Sequence, residues 1–309
     1  MAAKATRQSF GEAVVALAET NPNIVVMDAD LGKSTMTGAF MKKFPDRYFE
    51  FGIAEQNMIS TAAGMALGGK IPFAASFSCF LVGRYETVRM SVSYSNTNVK
   101  LVGTHAGVGI GEDGNSQMGL EDIALLRSLH NFVILQPADD LEAKQAVAWA
   151  AEYVGPVYLR LTRQKLEDIH SPDYKFQMGK GDVLKSAKGG QAITIFATGG
   201  VVGNALKAVE ELEKSGASIN LVNMHTIKPL DQELVLKLAK NSRIILTIED
   251  HNIVGGLGSA VSEVVAGAGL PVKVHRHGVV EFGESGTPEG LYEKFGFSAS
   301  KIKALIQSL

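Results

Sequence analysis

One carboxylate stands out by its setting. Glu55 lies in Phe51-Gly52-Ile53-Ala54-Glu55-Gln56-Asn57, among glycine and apolar residues, and an aromatic pair, Phe77 and Phe80, follows in the next strand-helix unit. A carboxyl held away from water has its pKa raised toward the operating pH, so it can give and recover a proton. Two phenylalanines can clamp a flat ring, and offset stacking adds about 0.5 to 1.5 kcal/mol beyond burial. The plain alternatives are an acid favoured by a helix dipole, worth about 0.3 to 1 kcal/mol, and an i, i+3 pair on the core face of a helix.

Further candidates are spread along the chain. The run Thr104-His105-Ala106-Gly107-Val108-Gly109-Ile110-Gly111-Glu112-Asp113-Gly114 follows an apolar strand, where open α/β sheets place ligands. Its glycines fail the Gly-x-Gly-x-x-Gly spacing, which argues against nicotinamide binding. Arg7, in Ala5-Thr6-Arg7, and Arg163, in Leu161-Thr162-Arg163-Gln164, offer paired donors suited to an anion, although most arginines are solvated surface charges. Asp30-Leu31-Gly32-Lys33-Ser34 lacks the glycine-rich stretch of a nucleotide P-loop. Gly199-Gly200-Val201-Val202-Gly203, and Glu249-Asp250-His251-Asn252 before Gly255-Gly256, look like turns built on small residues. A helix start at the first of these could hold an anion, but a structural role is favoured. His130, His170, His225 and His275 lack ligand spacing, and no metal is assigned to this chain.

The elements that must position these residues follow from periodicity. Strand-like runs 24–27, 71–74, 99–102, 133–135 and 157–161 alternate with amphipathic helices, among them 9–19 and 139–151. After a polar, glycine-rich stretch a second alternation begins: strands 192–197, 219–222, 244–248 and 272–274, with helices from about Val201, Asp231 and Gly256. The expectation is an α/β protein of two domains, each a mostly parallel sheet covered by helices. Residues 1–168 should form the first domain, 169–190 a linker and 191–309 the second.

Composition narrows the function classes. A formal charge of −2 over 309 residues gives no basic field for nucleic acid. One cysteine, Cys79, cannot form an internal disulfide, and the start Met1-Ala2-Ala3-Lys4 lacks the apolar core of a secretory signal, so a cytoplasmic setting is expected. No apolar run reaches the roughly 20 residues of a membrane helix.

Taken together, the motifs resemble the transketolases, thiamine diphosphate-dependent enzymes, over nearly the whole chain. The run 51–69 resembles the segment holding their cofactor-activating glutamate, which makes Glu55 the partner of a pyrimidine nitrogen. The resemblance places Phe77 and Phe80 around that ring, with Gly83 where a third aromatic is usual, which leaves the pocket wider on one side unless nearby Tyr85 or a partner residue fills it. It implies that Asp30 lies beside the cofactor, that His105 sits near the reacting carbon and that Asp113 reads a sugar hydroxyl. Arg7, Ser34 and Arg163 match positions that bind sugar phosphate. Gln117, in Asn115-Ser116-Gln117, stands where a histidine is usual; it keeps a donor but cannot become a cation.

The Gly-Asp-Gly turn and following Asn that grip the diphosphate and its metal are missing from the sequence. The resemblance is therefore to the C-terminal subunit of a split transketolase. That implies a partner N-terminal subunit holding Mg2+ or Ca2+ in an α2β2 assembly with a large apolar interface on the first domain, and transfer of a two-carbon ketol from a ketose phosphate to an aldose phosphate. The alternatives are the β subunit of a thiamine-dependent 2-oxoacid dehydrogenase and a non-catalytic scaffold homologue.

Overall fold

A computed structural model describes residues 3–189 and 192–309; Met1 and Ala2 of the expected leaderless start, and Gly190 and Gln191 at the expected edge of the linker, lie outside the described residues. The first half of the chain forms β1 Ile24–Asp28, β2 Tyr48–Glu50, β3 Ile71–Phe77, β4 Lys100–Thr104, β5 Val133–Leu135 and β6 Val157–Arg160. The second forms β7 Asp182–Lys185, β8 Ala192–Ala197, β9 Ile219–Asn223, β10 Thr226–Lys228, β11 Ser242–Asn252 and β12 Lys273–Val279. These make a seven-stranded sheet, β10-β5-β6-β4-β3-β1-β2, and a five-stranded sheet, β12-β11-β8-β9-β7. Pairing is parallel except for β10 on β5 and β7 on β9. The expected two-domain α/β architecture is the observed one.

Local sequence explains the layers. β1 and β4 are buried at every position, as strands covered by helices on both faces must be. Helix Thr6–Thr20 turns Phe10, Ala13, Val14 and Ala18 into the core, where Phe10 meets Phe73 at 6.1 Å between ring centroids. Helix Asp140–Glu152 packs beside it, its first turn capped by Asp139, whose carboxylate accepts from the Glu142 amide.

Two departures matter for the site. The strand β10 belongs by sequence to the second domain yet pairs with the edge of the first sheet, so the domains share a sheet; three residues are too few to show a period. The run Glu249-Asp250-His251-Asn252, expected as a turn, is the end of the long strand β11. Its charged side chains are buried and find specific partners. Glu249 accepts from the amides of Leu257 at 2.7 Å and Gly258 at 2.8 Å, at the start of helix Leu257–Gly267, and Asp250 and His251 reach into the first domain.

The chain between the two sheets is tied down by polar contacts. Asp139 accepts from the amides of Ile169 and His170 and lies 2.7 Å from His170 Nδ1. His170 Nε2 lies 3.2 Å from Asp182 and 3.8 Å from Glu142, the ring of Tyr174 stacks on it, and Glu142 takes bonds from Tyr174 and Asn223. Burial alone would lower the His170 pKa, but the bonds to Asp139 and Asp182 and the charges of Glu142 and Asp139 push it up to about 10.

A histidine whose folded pKa lies above its unfolded value stabilises fully below about pH 6.5, and that contribution fades as pH rises to about 10. Lys100 acts in the opposite sense, because burial pushes its pKa down to about 7. The difference between wild type and His170→Gln isolates the histidine. In urea unfolding the wild-type advantage should be largest near pH 6 and shrink toward pH 10; a difference independent of pH would disprove the ion cluster.

Candidate active site

The candidates converge at the carboxyl ends of β3 and β4. Glu55 is the first residue of helix Glu55–Leu67 and is buried, with Ser76, near the end of β3, donating from Oγ to Glu55 Oε1 at 3.1 Å. The residue also lines an open cleft with Ile53, Ala54, Gln56, Asn57, Ser60 and Arg84, so its surroundings are sealed on the protein side and accessible on the other. Phe77 ends β3 and Phe80 lies one turn into helix Ser78–Val82. Their rings are 5.5 Å apart and 8° from parallel, a stacked pair at the site edge.

His105 follows β4 in the left-handed conformation, φ 59°, which aims its ring back over the strand ends. Its ring lies on Phe77, with centroids 3.7 Å apart. Nδ1 is 2.8 Å from Thr104 Oγ1 and Nε2 is 2.9 Å from Arg7 Nη1. Burial, with the charges of Arg7 and Arg163, pushes the His105 pKa down to about 3. This imidazole is neutral at any physiological pH.

A clamp sets the two arginines near one another. Thr162 N donates to Thr6 Oγ1 at 2.8 Å, and Thr6 N points to Thr162 Oγ1 at 3.4 Å, so the residues after each threonine, Arg7 and Arg163, leave from joined backbone. Arg7 also donates to the carbonyl of Ser34 at 2.8 Å. That carbonyl is held by a turn knotted on buried Asp28, which accepts from Leu31 N, Thr35 Oγ1 and Thr37 Oγ1. Burial and the charge of Arg163 lower the Arg7 pKa, with Asp113 opposing them. Arg163 donates to Ile110 O at 2.6 Å and to Glu112 at 2.7 Å, and its Nε lies 3.7 Å from Asp113.

Other candidates are less engaged. Asp30 is exposed, again with positive φ, and its amide donates to Glu50 at 2.7 Å. Gln117 lies half-buried in the turn Asn115–Gln117, where its carbonyl receives Cys79 Sγ at 3.2 Å. Tyr85 does not fill the space beside Gly83: its hydroxyl pairs with Ser128 at 2.7 Å.

The glycine-rich loop owes its shape to the second domain. Asp250 accepts from Val108 N at 2.7 Å, Gly109 N at 3.3 Å and Tyr292 OH at 3.0 Å. Gly107 has φ 82°, and a Cβ there would fall 2.2 Å from the Asp250 carboxylate. A Cβ on Gly199 would strike Gln136, and one on Gly200 would strike Tyr292 and Gln164. The run Gly199–Val201 is thus packed against neighbouring side chains. Sequence reasoning missed Ser76, Thr104 and Asp250, whose only signal is their place at strand ends.

A parallel sheet bearing a buried glutamate, an aromatic pair and a glycine-rich loop at its strand ends places the chain in the class of α/β proteins whose ligands bind at the carboxyl ends of the strands. Residues 2–168 match the family "Transketolase, pyrimidine binding domain" and residues 179–302 match "Transketolase, C-terminal domain". A protein named as a transketolase C-terminal section, from Methanocaldococcus jannaschii, is 45% identical over 97% of this chain and 94% of its own length. A 6-deoxy-6-sulfo-D-fructose transketolase subunit from Clostridium sp. is 38% identical over 96% of this chain and 91% of its own. A solved split-gene transketolase, described as an inactive β4 tetramer, aligns with TM-score 0.89 and 42% identity, covering 99% of this chain and 98% of that one. The chain belongs to the transketolase family. Transketolases generally use thiamine diphosphate and a divalent metal.

The loop geometry generates a test. Gly107→Ala places a methyl against a buried carboxylate at positive φ, and should cost at least about 2 kcal/mol. Gly114→Ala, also at positive φ but with no atom nearer than 3.5 Å, should cost only the backbone strain of about 1 to 2 kcal/mol. Urea midpoints for the two variants check the order.

Proposed function

We propose that this chain is the C-terminal subunit of a two-chain transketolase, transferring a two-carbon ketol unit from a ketose phosphate to an aldose phosphate. The observation that carries the reading is the convergence, at the ends of β3 and β4, of Glu55, the stacked Phe77 and Phe80, His105 and Arg7. The 6-sulfofructose relative is in keeping with a sugar bearing an anionic tail.

The residues present fit half of a thiamine diphosphate site. Glu55 is buried yet borders an open cleft, and the two phenylalanine rings are already parallel. When bound, the cofactor would supply the thiazolium carbon that carries the ketol unit. Glu55 would exchange a proton with the pyrimidine nitrogen, Phe77 and Phe80 would orient the ring, and Asp30 would lie beside the cofactor. Arg7, Arg163 and Ser34 would hold the anionic end of the sugar, while His105, Asp113 and Gln117 would meet its hydroxyls. With Gln117 neutral and His105 uncharged, the positive charge at that end comes from the two arginines. Glu112 must yield Arg163 to an incoming anion.

The diphosphate and its Mg2+ or Ca2+ would belong to a partner N-terminal subunit, because the sequence has no Gly-Asp-Gly turn followed by Asn. Exposed apolar side chains near the Glu55 helix, Ile53, Leu67, Met90 and Tyr94, support a surface that a partner covers. No helix among the described residues is long and apolar enough to cross a membrane.

Mixing the chain with a candidate partner, thiamine diphosphate and Mg2+, and supplying xylulose and ribose phosphates or pyruvate, tests the reading. Ketol transfer that requires both chains is expected. Glu55→Gln should leave the fold intact and reduce turnover by about 10² to 10⁴, and near-normal turnover would sink the assignment. Pyruvate decarboxylation would indicate a 2-oxoacid dehydrogenase β subunit instead, and a folded complex that binds no cofactor a scaffold.

A further inference from the structure

The hydrogen bonds around His105 determine which of its nitrogens carries the proton. A guanidinium N–H can only donate, so Arg7 Nη1, 2.9 Å from Nε2, requires a lone pair on Nε2. A neutral imidazole then carries its proton on Nδ1, which is 2.8 Å from Thr104 Oγ1. The threonine hydroxyl accepts a hydrogen bond from Nδ1–H and donates its own to the Ser76 carbonyl at 3.3 Å. The inner steps are buried: Thr104 and Ser76 are 0% exposed and His105 1%. Stacking on Phe77 fixes the plane of the ring, and the two bonds fix its rotation within that plane.

We propose that Thr104 is a positioning residue that locks His105 as the Nδ1–H tautomer, so that Nε2 presents a lone pair to the site and receives a substrate hydroxyl once Arg7 swings to the anionic end of the sugar. His105 then acts as a hydrogen-bond acceptor, not as a cation. The low pKa of the ring, set first by burial, agrees with this. Ser76 joins both halves of the site through different atoms: its hydroxyl bonds Glu55 and its carbonyl anchors Thr104. The substrate half of the inference rests on the transketolase reading, whereas the tautomer stands on the hydrogen bonds alone.

The test uses the full chain labelled with 15N-histidine, the His105 signals being assigned by their loss in His105→Asn. Wild type should show a protonated Nδ1 and an unprotonated Nε2 from about pH 5 to pH 8, and Thr104→Ser should preserve both. Thr104→Val, which deprives Nδ1–H of its acceptor, should move the proton wholly or partly to Nε2. A wild-type ring protonated on Nε2 would overturn the proposal even if the valine variant failed to fold, as would a valine variant with unchanged nitrogen shifts. In the assembled enzyme, Thr104→Val should lower kcat/KM roughly tenfold, the scale of one lost buried hydrogen bond, with rescue by serine. Equal activity of the valine variant would overturn the substrate half. If the wild-type complex transfers no ketol, the transketolase reading fails while the nitrogen spectrum still decides the tautomer.

Discussion

A guanidinium sealed from water must have acceptors for its N–H groups, and Arg160 finds them on two separate stretches of chain, 119–122 and the end of β11. Its Nε donates to Asp122 at 2.8 Å, and Nη2 donates to the carbonyls of Gly119 and Asp250, each at 2.9 Å. The residue is the last of β6, Gly119 follows the glycine-rich loop and Asp250 lies on β11. Removing one partner from such a buried pair commonly costs about 3 to 5 kcal/mol, because the other charge is left uncompensated. Burial opposes ionisation of Asp122, but the Arg160 charge overrides it and holds the carboxyl below its usual range; Tyr158 donates to the same oxygen as Arg160. The second domain is thereby held against the first at the level of the site.

From that junction the loop inherits its shape. Asp250 presents its carbonyl to Arg160 and its carboxylate to the Val108 and Gly109 amides, so one residue connects the buried cation to the loop backbone. The loop in turn carries His105 at one end and Glu112 and Asp113 at the other. The C-terminal domain, which holds none of the candidate residues, nevertheless shapes the loop that carries several of them. Gly199 and Gly200, at the start of a run that could have been an anion loop, are consumed in packing against Gln136, Gln164 and Tyr292.

The electrostatics of the site are balanced rather than strongly positive. Arg7 faces a neutral histidine and a carbonyl, and Arg163 faces Glu112 and Asp113. An exposed pair such as Arg163 with Glu112 is worth only about 0 to 1 kcal/mol, so an incoming anion can displace it at little cost. Glu55 stands in a different regime, enclosed on one side by β3 and open on the other. Such a half-enclosed carboxyl gains full shelter from water only when another surface closes over it, which is the physical content of a half-site.

Much was legible in the residue pattern. Alternating apolar runs foretold the parallel strands, and Glu55 at a helix start and the loop after β4 fell where their local sequence put them, because those features depend on near neighbours. Phe77, expected on a helix beyond a strand ending at 74, instead closes β3. The three-residue strand β10, the continuation of β11 through Glu249, Asp250 and His251, and the clamp between Thr6 and Thr162 had no such signal. A buried charge is indistinguishable from a solvated one until its partners are known, and those of Asp250 lie up to 142 positions away. Residue types therefore decided which groups were available: an acid at a helix start, an aromatic pair, a histidine and two arginines. Tertiary contacts alone decided their states, placing the His105 proton on Nδ1, setting Arg163 against Glu112 and fastening the loop to Asp250, because hydrogen-bond partners and burial are properties of the folded chain.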